Sequence, residues 1–408
     1  MSDRLHVLMV AEKPSIAQAV ASALAQGPVQ KRKGVSPSVP VYEYDGTFYA
    51  GADSWPNSRF RVTSTVGHMW SLDFTKSIND NQSLDPIELY TAPTVHLEDP
   101  RPRMTEHLQA EATGCHVLVL WLDCDREGEN ICFEVITTCA HCLHDVTVPG
   151  AFSANAGSAN VFRARFSSLA TDDLRSAFRT LAHPNQNEAA AVDARQEIDL
   201  KLGISFSRFQ TKFFRHHFGK LLGKLSVTFG PCQTPTLWFC AHRHDQIAAF
   251  VPTAYWTVEG TVTVGGYELR AVSPRGRMWA EAEAAAAVAA TAGAAAATVA
   301  APPTVARQVQ PRPLPLNTVA LLKAASEVLG LGPGDAMYYA EKLYLNGLLS
   351  YPRTETSKFA PAFDLVGTLS AVAKAASGDD GGWLPEAAEL LADAQAAGEG
   401  DAAAAALH

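Results

Sequence analysis

The chain has 408 residues, enough for roughly two to four domains, and 47% of them are hydrophobic. Seven scattered cysteines, no secretory leader and no long apolar span argue against secreted and membrane classes, so we expect a soluble intracellular protein. The net charge of −9 is a weak argument against nucleic-acid binding, but six cations and no acid lie within residues 201–224. Residues 379–401 carry seven acids and no base. The total charge therefore conceals a local basic face.

The first part of the chain, to about residue 150, has the pattern of an α/β domain. Two short and continuous apolar runs, "LHVLMVA" at 5–11 and "HVLVLWLD" at 116–123, are each followed by a helical pattern. Such runs predict strands of a parallel sheet that are buried on both faces. Between them, "VYEYDGTFYAG" at 41–51 and "RFRVTSTVG" at 59–67 alternate in polarity and predict further strands of a mixed sheet.

Acidic side chains follow the second of these predicted parallel strands. Asp123, Asp125 and Glu127 have i, i+2, i+4 spacing, which places them on one face of an extended segment. Glu12 and Lys13 follow the first strand, and ligands bind at the carboxyl ends of such strands. Oxygen ligands without histidine favour Mg²⁺ over zinc. The alternative interpretation is a polar loop of acids that begins a helix and is favoured by the helix dipole.

Residues 187–218 change to the helical period of 3.6. An apolar stripe contains Ile198, Leu202, Phe206, Phe209 and Phe213. A second stripe, rotated by roughly 110° at the helical 100° per residue, contains Lys201, Arg208, Lys212 and Arg215. This helix can pack on one side and present cations on another, although a solvated face of a core helix explains the segment equally well.

The later elements lead to a tyrosine motif. "YWTVEGTVTVGGYELRAV" predicts a β hairpin, residues 281–304 are an alanine-rich surface helix or linker, and helices are predicted near 318–329 and 335–346. "SYPRTET" follows at 350–356, where Pro352 keeps Tyr351 out of helical geometry. Taken alone, Tyr351 is a tyrosine in a loop.

Several motifs resemble a known family. "MVAEKPSIAQAVASAL" with "LVLWLDCDREGENICFEVI" is similar to the Toprim domain that topoisomerases share with bacterial primases and some nucleases. "DARQEIDLKLGISFSRFQTKFF", "FGPCQTPTLWFC" and "LNGLLSYPRTET" resemble type IA topoisomerases of the eukaryotic topoisomerase III group, most closely its III-beta branch. The resemblance runs in order from about residue 5 to about residue 366, and four motifs in order are more specific than any one of them.

The resemblance implies a chemistry for these residues. Tyr351 attacks a phosphodiester of single-stranded DNA, forms a 5′-phosphotyrosyl bond and releases a 3′-hydroxyl, so that no ATP is needed. Arg353 stabilises the tyrosinate or clamps the phosphate, and Lys13 stabilises the transition state or protonates the leaving oxygen. Glu12 transfers a proton or binds metal. The expected Mg²⁺ ligands are Asp123, Asp125, Glu127 and Glu12.

The resemblance also implies a path for the bound strand. We expect Arg195, Lys201, Arg208 and Lys212 to contact the nucleic-acid backbone. Gly230, Gln233 and Thr234 would lie along the same path. His68 matches a family Gly-His near the active site, although a buried structural histidine is an equally good interpretation. Single-stranded DNA is the expected partner, RNA is a further candidate, and nuclear residence is expected.

The implied fold class is an α/β, Rossmann-like Toprim domain followed by mainly helical and small β domains, in a multidomain α+β chain. The expected segments are a Toprim domain at 1–170, a helical DNA-binding segment at 171–246, a β-rich arch segment at 247–313 and a helical segment with the tyrosine at 314–408. The family's downstream histidine and its return segments are not found, so we expect an incomplete type IA ring. The rival hypotheses are a truncated nucleic-acid-binding protein and a Toprim nuclease or primase.

Overall fold

The computed structural model describes residues 4–81, 83–98, 102–144, 148, 152–153, 160–223, 225–302, 304, 306, 308, 313–359, 366–368, 370 and 392. The chain forms two compact units, one from Met1–Pro231 with Arg312–His408 and the other from Cys232–Pro311. The predicted division into four segments stays a prediction. Nearly all of the predicted acidic end, 379–401, lies outside the described residues. No helix within the described ranges is both long enough and apolar enough to cross a membrane.

The first unit contains a central sheet and a small two-stranded sheet. Its strands are β1 (His6–Ala11), β2 (Gln30–Lys33), β3 (Pro40–Ala50), β4 (Asp53–Ser64), β5 (Trp70–Phe74), β6 (Thr94–Glu98), β7 (Val117–Trp121), β8 (Phe152–Ser153) and β9 (Asn160–Arg163). The central sheet has the order β2-β3-β4-β1-β7-β9-β8, and β5 pairs with β6. The strands β4, β1, β7 and β9 are parallel to their neighbours in that run, whereas β2, β3 and β8 are antiparallel additions. The predicted mixed sheet is therefore confirmed.

Helices cover both faces of this sheet. The helices of the first unit are α1 (Pro14–Leu24), α2 (Lys76–Asp80), α3 (Met104–Ala112), α4 (Arg126–Cys139), α5 (Thr171–Arg179) and α6 (Gln186–Leu222). Alternate residues of β1 and β7 enter two separate cores, as the continuous apolar runs require. Val7 and Val119 pack with α1 and α5, whereas Leu8 and Leu118 pack with α3 and α4. Burial on both faces leaves the carboxyl ends of β1 and β7 as the positions where polar groups emerge.

The helix α6 is longer than predicted and ends differently. It runs from Gln186 to Leu222, with a non-helical residue at Phe218. The side chains of Leu200 and Ile204 pack against a small core formed by Phe74 and Leu89. The predicted apolar stripe is not a packed face in the first unit, because its side chains other than Leu202 are exposed, namely Ile198, Phe206, Phe209 and Phe213.

Numbering continues through the second unit with α7 (Gln233–Ala248), β10 (Glu259–Val264), β11 (Tyr267–Val272) and α8 (Glu281–Ala289). The strands β10 and β11 form the predicted antiparallel hairpin. Gly265 and Gly266 connect them with φ values of 58° and 85°. Two consecutive positive φ values are characteristic of a tight hairpin turn that matches the twist of the strands, which explains the glycine pair.

The first unit resumes with two helices that precede the tyrosine motif. They are α9 (Thr318–Leu329) and α10 (Pro333–Leu345). Asn317 caps α9 by accepting from the amide of Ala320, and Gly330 ends it in the left-handed conformation. Both helices lie within a residue or two of their predicted bounds. The side chain of Tyr344, near the end of α10, is buried in the same core as Val7 and Val119.

We predict that Gly34→Ala destabilises the sheet edge by about 1–3 kcal/mol, the usual range for overpacking a core. A Cβ atom at Gly34 would lie 2.1 Å from Cε1 of His107. His107 cannot easily retreat, because it is buried and its Nε2 lies 2.7 Å from Oγ1 of Thr63. Urea denaturation of Gly27→Ala provides the control, since no atom lies within 4 Å of a Cβ there. Equal stability of the two variants would contradict this packing.

Candidate active site

The pairing of β1 with β7 brings the two predicted clusters together. The strands are parallel and Ala11 is opposite Trp121, so the residues that follow each strand are neighbours. The amide of Asp123 donates to Oε2 of Glu12 over 3.2 Å. Nζ of Lys13 lies 3.2 Å from Oδ2 of Asp123 and 3.5 Å from Oε1 of Glu12. The predicted convergence of Glu12, Lys13 and Asp123 at this edge of the sheet is confirmed as geometry.

A buried ion pair fixes residues 122–125, here called the acid loop. Arg163, at the end of β9, donates to the carbonyl oxygens of Leu122 over 2.7 Å and Asp123 over 2.9 Å. Its Nε donates to Oε1 of Glu129 over 2.9 Å. Oε2 of Glu129 accepts from the amide of Asn185, also over 2.9 Å. No sequence pattern indicated this pair, because its two residues are 34 positions apart.

The acid loop is not uniformly extended, so the predicted common face for three carboxylates is wrong. Asp125 is the N-cap of α4 and accepts from the amide of Gly128 over 2.8 Å, and Glu127 lies in the first helical turn. The alternative of helix-starting acids describes these two residues correctly. Gly128 is required for the turn, because a Cβ there would lie 2.0 Å from the carbonyl oxygen of Asp123.

Tyr351 lies beside the carboxylates that follow β7. Its Oη donates to Oδ2 of Asp125 over 2.5 Å, and its backbone amide donates to the carbonyl oxygen of Ser167 over 2.8 Å. Burial, followed by the hydrogen bond to Asp125, raises the pKa of the Tyr351 phenol well above its ordinary value. The phenol is therefore protonated in this arrangement, and it becomes a nucleophile only when its proton is removed.

A second tyrosine, which no sequence pattern singled out, reaches the same loop. Oη of Tyr344 donates to Oδ1 of Asp123 over 3.1 Å. The rings of Tyr344 and Tyr351 meet edge to face, with 5.3 Å between their centroids. The helical pattern marked α10 as a helix but gave no sign of which side chain would face a carboxylate 221 positions away.

Glu127 contacts an arginine and a histidine. Its Oε1 lies 2.6 Å from Nη2 of Arg195, and its Oε2 lies 3.1 Å from Nε2 of His68. The other ring nitrogen of His68 lies 3.0 Å from Oε1 of Glu134. The hydrogen bond to Glu134 and the nearby Glu127 raise the pKa of His68, although burial opposes them. Arg195 thus forms an ion pair with Glu127, and His68 lies between Glu127 and Glu134.

Arg353 lies on a cavity that opens beside Tyr351. Its Nε donates to Oε1 of Glu341 over 3.0 Å, and its guanidinium is otherwise well exposed. The cavity has a volume of about 650 Å³. It is lined by Tyr351 and Arg353 together with Lys358 and the apolar Leu316. Space and cations suited to a phosphate and its nucleotide therefore adjoin the phenol.

The remaining predicted contacts are spread along α6 and beyond it. Lys201 pairs with Glu197 at 2.6 Å. Arg208 donates to the carbonyl oxygens of Ile78, Asn79 and Asn81, and Lys212 donates to that of Leu84. These two cations therefore connect α2 and the residues that follow it to α6. Gly230 lies in the loop after α6 in the first unit, and Gln233 and Thr234 begin α7 in the second unit.

The predicted metal ligands form an oxygen-only donor set of the kind that Mg²⁺ prefers. Burial, followed by the charges of Asp123 and, more weakly, Asp125, raises the pKa of Glu12, a sign of crowded carboxylates that a cation would relieve. Within the described residues, however, no three acidic, histidine or cysteine side chains are arranged to hold a metal ion. Glu12, Asp123 and Asp125 fit the ion chemically, whereas Glu127 is held by Arg195 and His68.

Comparison with known proteins decides the family. Residues 7–169 match the Toprim domain. Residues 183–404, more than half of the chain, match the DNA topoisomerase family. The chain belongs to the type IA DNA topoisomerases. The fold supports this membership: full-length topoisomerase I from Thermotoga maritima superposes with a TM-score of 0.55 over 91% of this chain and 53% of that one, at 18% identity.

The relatives place the chain with topoisomerase 3-beta. It is 45% identical to human DNA topoisomerase 3-beta-1 over 366 residues and 42% identical to Arabidopsis thaliana DNA topoisomerase 3-beta over 372 residues. These alignments cover 89% and 91% of this chain, but only 41% of each relative. The chain thus spans about two fifths of the length of these relatives.

We predict that Arg163→Met lowers the free energy of unfolding by about 3–5 kcal/mol, because it leaves Glu129 buried without its cation. Arg165→Met is the matched control, since Arg165 is about half exposed and lies 3.8 Å from the same carboxylate. Urea denaturation of both variants measures the difference. A loss for Arg163→Met no larger than that for Arg165→Met would show that the buried pair does not fix the acid loop.

Proposed function

We propose that this chain carries the cleavage centre of a type IA topoisomerase, which breaks one strand of nucleic acid through a 5′-phosphotyrosine at Tyr351 and reseals it. The observation that carries the proposal is the 2.5 Å hydrogen bond from Oη of Tyr351 to Asp125, which lies in the acid loop of the Toprim domain. A tyrosine buried only for packing has no need of a carboxylate partner beside a lysine and two further acids. The enzyme would use no ATP, since the phosphotyrosine retains the energy of the broken bond.

The proton of the phenol has an acceptor in place. Asp125 already holds the hydrogen bond of Tyr351, so it is the base to which the proton passes as Oη attacks phosphorus. The new bond joins Oη to phosphorus, and the bond to the 3′-oxygen breaks. Arg353 borders the cavity next to Oη, where its guanidinium can bind the phosphate oxygens.

The leaving 3′-oxygen needs a proton, and the two candidates differ in charge state. The charges of Asp123 and Glu12 raise the pKa of Lys13 although burial opposes them, so Lys13 keeps its proton and stabilises negative charge. In the present arrangement burial and Asp123 raise the pKa of Glu12, so that its carboxyl keeps a proton to higher pH than an ordinary glutamate and can donate it. We therefore assign proton donation to Glu12 and electrostatic stabilisation to Lys13.

Mg²⁺ is part of the proposal. Asp123 and Asp125, with Glu12 beside them, are the residues that would hold it, and its charge would offset the acids and help to position the phosphate. In the present arrangement Lys13 and the two tyrosine hydroxyls occupy the carboxylate oxygens of Asp123 and Asp125.

The biological scope of the proposal rests on the family. Relaxation of negative supercoils and decatenation would follow from passing a second strand through the break. Single-stranded DNA is the proposed substrate, RNA is a second candidate, and residence in the nucleus is proposed from the resemblance alone. A different function is a nucleic-acid-binding protein without strand passage, which a groove lined by Arg208, Lys212 and Arg215 on α6 favours.

We predict that the wild-type chain, incubated with a labelled single-stranded DNA oligonucleotide and Mg²⁺ and then denatured, retains label on the protein. Tyr351→Phe should abolish this adduct, because it removes the hydroxyl oxygen that forms the ester. Tyr338→Phe is the matched control, since that tyrosine is on α10 and exposed. The yield of adduct on a denaturing gel is the measurement, and an RNA oligonucleotide tests the second substrate in parallel.

Three results would overturn the proposal. If the wild type binds the oligonucleotide but never forms an adduct, the chain is a nucleic-acid-binding protein. If the strand is cut without an adduct, and Tyr351→Phe cuts equally well, the Toprim cluster acts as a nuclease. Retention of the adduct in Tyr351→Phe would assign the nucleophile to another residue, with Tyr344 as the nearest candidate.

A further inference from the structure

Asp123 is held from several sides by residues of the Toprim domain. Its amide donates to Glu12, its carbonyl oxygen accepts from Arg163, and its Oδ2 accepts from Lys13. Its side chain is only 1% exposed. One carboxylate oxygen, Oδ1, has no partner among these residues, so the orientation of the carboxylate depends on what that oxygen meets.

Oδ1 meets a residue from the other end of the chain. Tyr344 donates to it over 3.1 Å, and the tyrosine side chain is itself 2% exposed. Tyr344 is near the end of α10, seven residues before Tyr351, and the two rings are in edge-to-face contact. One side chain therefore contacts both the acid and the nucleophile, which belong to segments more than 200 positions apart.

The hydroxyl, and not only the ring, has a reason to be there. A phenylalanine would fill the same space in this apolar core and would avoid burying a polar group. The hydroxyl instead forms a hydrogen bond to a carboxylate, which contributes more than one between neutral groups.

We propose that Tyr344 is a positioning residue for strand cleavage: its hydroxyl orients Asp123 while its ring sets the Tyr351 ring, so that the acid loop and the nucleophile keep one register. This inference rests on the function proposed above. It assigns to Tyr344 no bond to the substrate. Its effect is on the fraction of molecules in which phenol, acid and cation are correctly placed, and misplacement at such a site is costly to the rate.

Tyr344→Phe tests the hydroxyl alone, because the ring and the core packing are kept. The rate of adduct formation on single-stranded DNA should fall by roughly ten- to a hundredfold, while the dissociation constant for the same oligonucleotide, measured in the Tyr351→Phe background, should stay unchanged. Tyr339→Phe is the control, since Tyr339 is exposed on the same helix. A wild-type rate in Tyr344→Phe, or a rate that falls only as much as binding weakens, would overturn the proposal.

Hydrogen exchange keeps the proposal testable even if the wild type forms no adduct. The amide of Tyr351 is bonded to the carbonyl oxygen of Ser167, so its exchange reports the docking of the tyrosine segment. Loss of a hydrogen bond to a carboxylate should speed exchange within residues 345–355 by roughly tenfold in Tyr344→Phe and leave it unchanged in Tyr339→Phe. Unchanged exchange in Tyr344→Phe would show that its hydroxyl does not couple the two segments. Faster exchange without any wild-type adduct would support the coupling and contradict the cleavage function.

Discussion

Arg163 donates to the carbonyl oxygens of Leu122 and Asp123 while it pairs with Glu129 in the interior, and the candidate site depends on this one constraint. A buried ion pair is a weak source of net stability, since desolvation offsets most of the attraction. The pair matters because it holds the acid loop in place. Because Arg163 ends β9 and Glu129 lies in α4, the pair ties a strand and a helix to the loop between β7 and α4. Asp123 and Asp125 are therefore held in a fixed position at the carboxyl end of β7.

The structure shows a site in which the carboxylates have hydrogen-bond or ion-pair partners within the protein. Asp123 is bonded to Lys13 and Tyr344, Asp125 to Tyr351, and Glu127 to Arg195 and His68. In this arrangement the phenol keeps its proton, because burial and the neighbouring acids disfavour the tyrosinate. Cations brought by Arg353 and by a bound metal ion would lower that penalty.

Much of this could be predicted from local pattern. Continuous apolar runs marked β1 and β7 as strands of a parallel sheet with charged residues after their carboxyl ends, and the pairing of these two strands brings Glu12, Lys13 and Asp123 together. The four motifs, in their order along the chain, were enough to indicate the correct family. The spacing of Asp123, Asp125 and Glu127 wrongly predicted an extended segment, because a period-2 pattern over five residues does not reveal an N-cap. The hydrogen bond from the amide of Gly128 to Asp125 shows where that helix begins.

The rest depended on tertiary contacts that no local pattern records. Arg163 and Tyr344 stand in segments with the patterns of an ordinary strand and an ordinary helix, and each reaches the acid loop through the fold. Arg208 and Lys212 belong to a stripe that was expected to contact a nucleic-acid backbone. In the structure their side chains donate to backbone carbonyl oxygens, namely those of Ile78, Asn79, Asn81 and Leu84. The side chains of Phe206 and Phe209 are exposed. Their helical spacing predicted an apolar stripe, but it gave no sign of which residues would pack against that stripe.

The polarity of the covalent bond tests the account most directly. A single-stranded oligonucleotide labelled at its 3′ end should stay attached to the denatured wild-type chain, through a peptide that contains Tyr351. The same strand labelled at its 5′ end should instead release a labelled fragment that ends in a 3′-hydroxyl. This result follows if Oη of Tyr351 attacks phosphorus and the 3′-oxygen leaves. Retention of the 5′ label, or release of both labels, would contradict it.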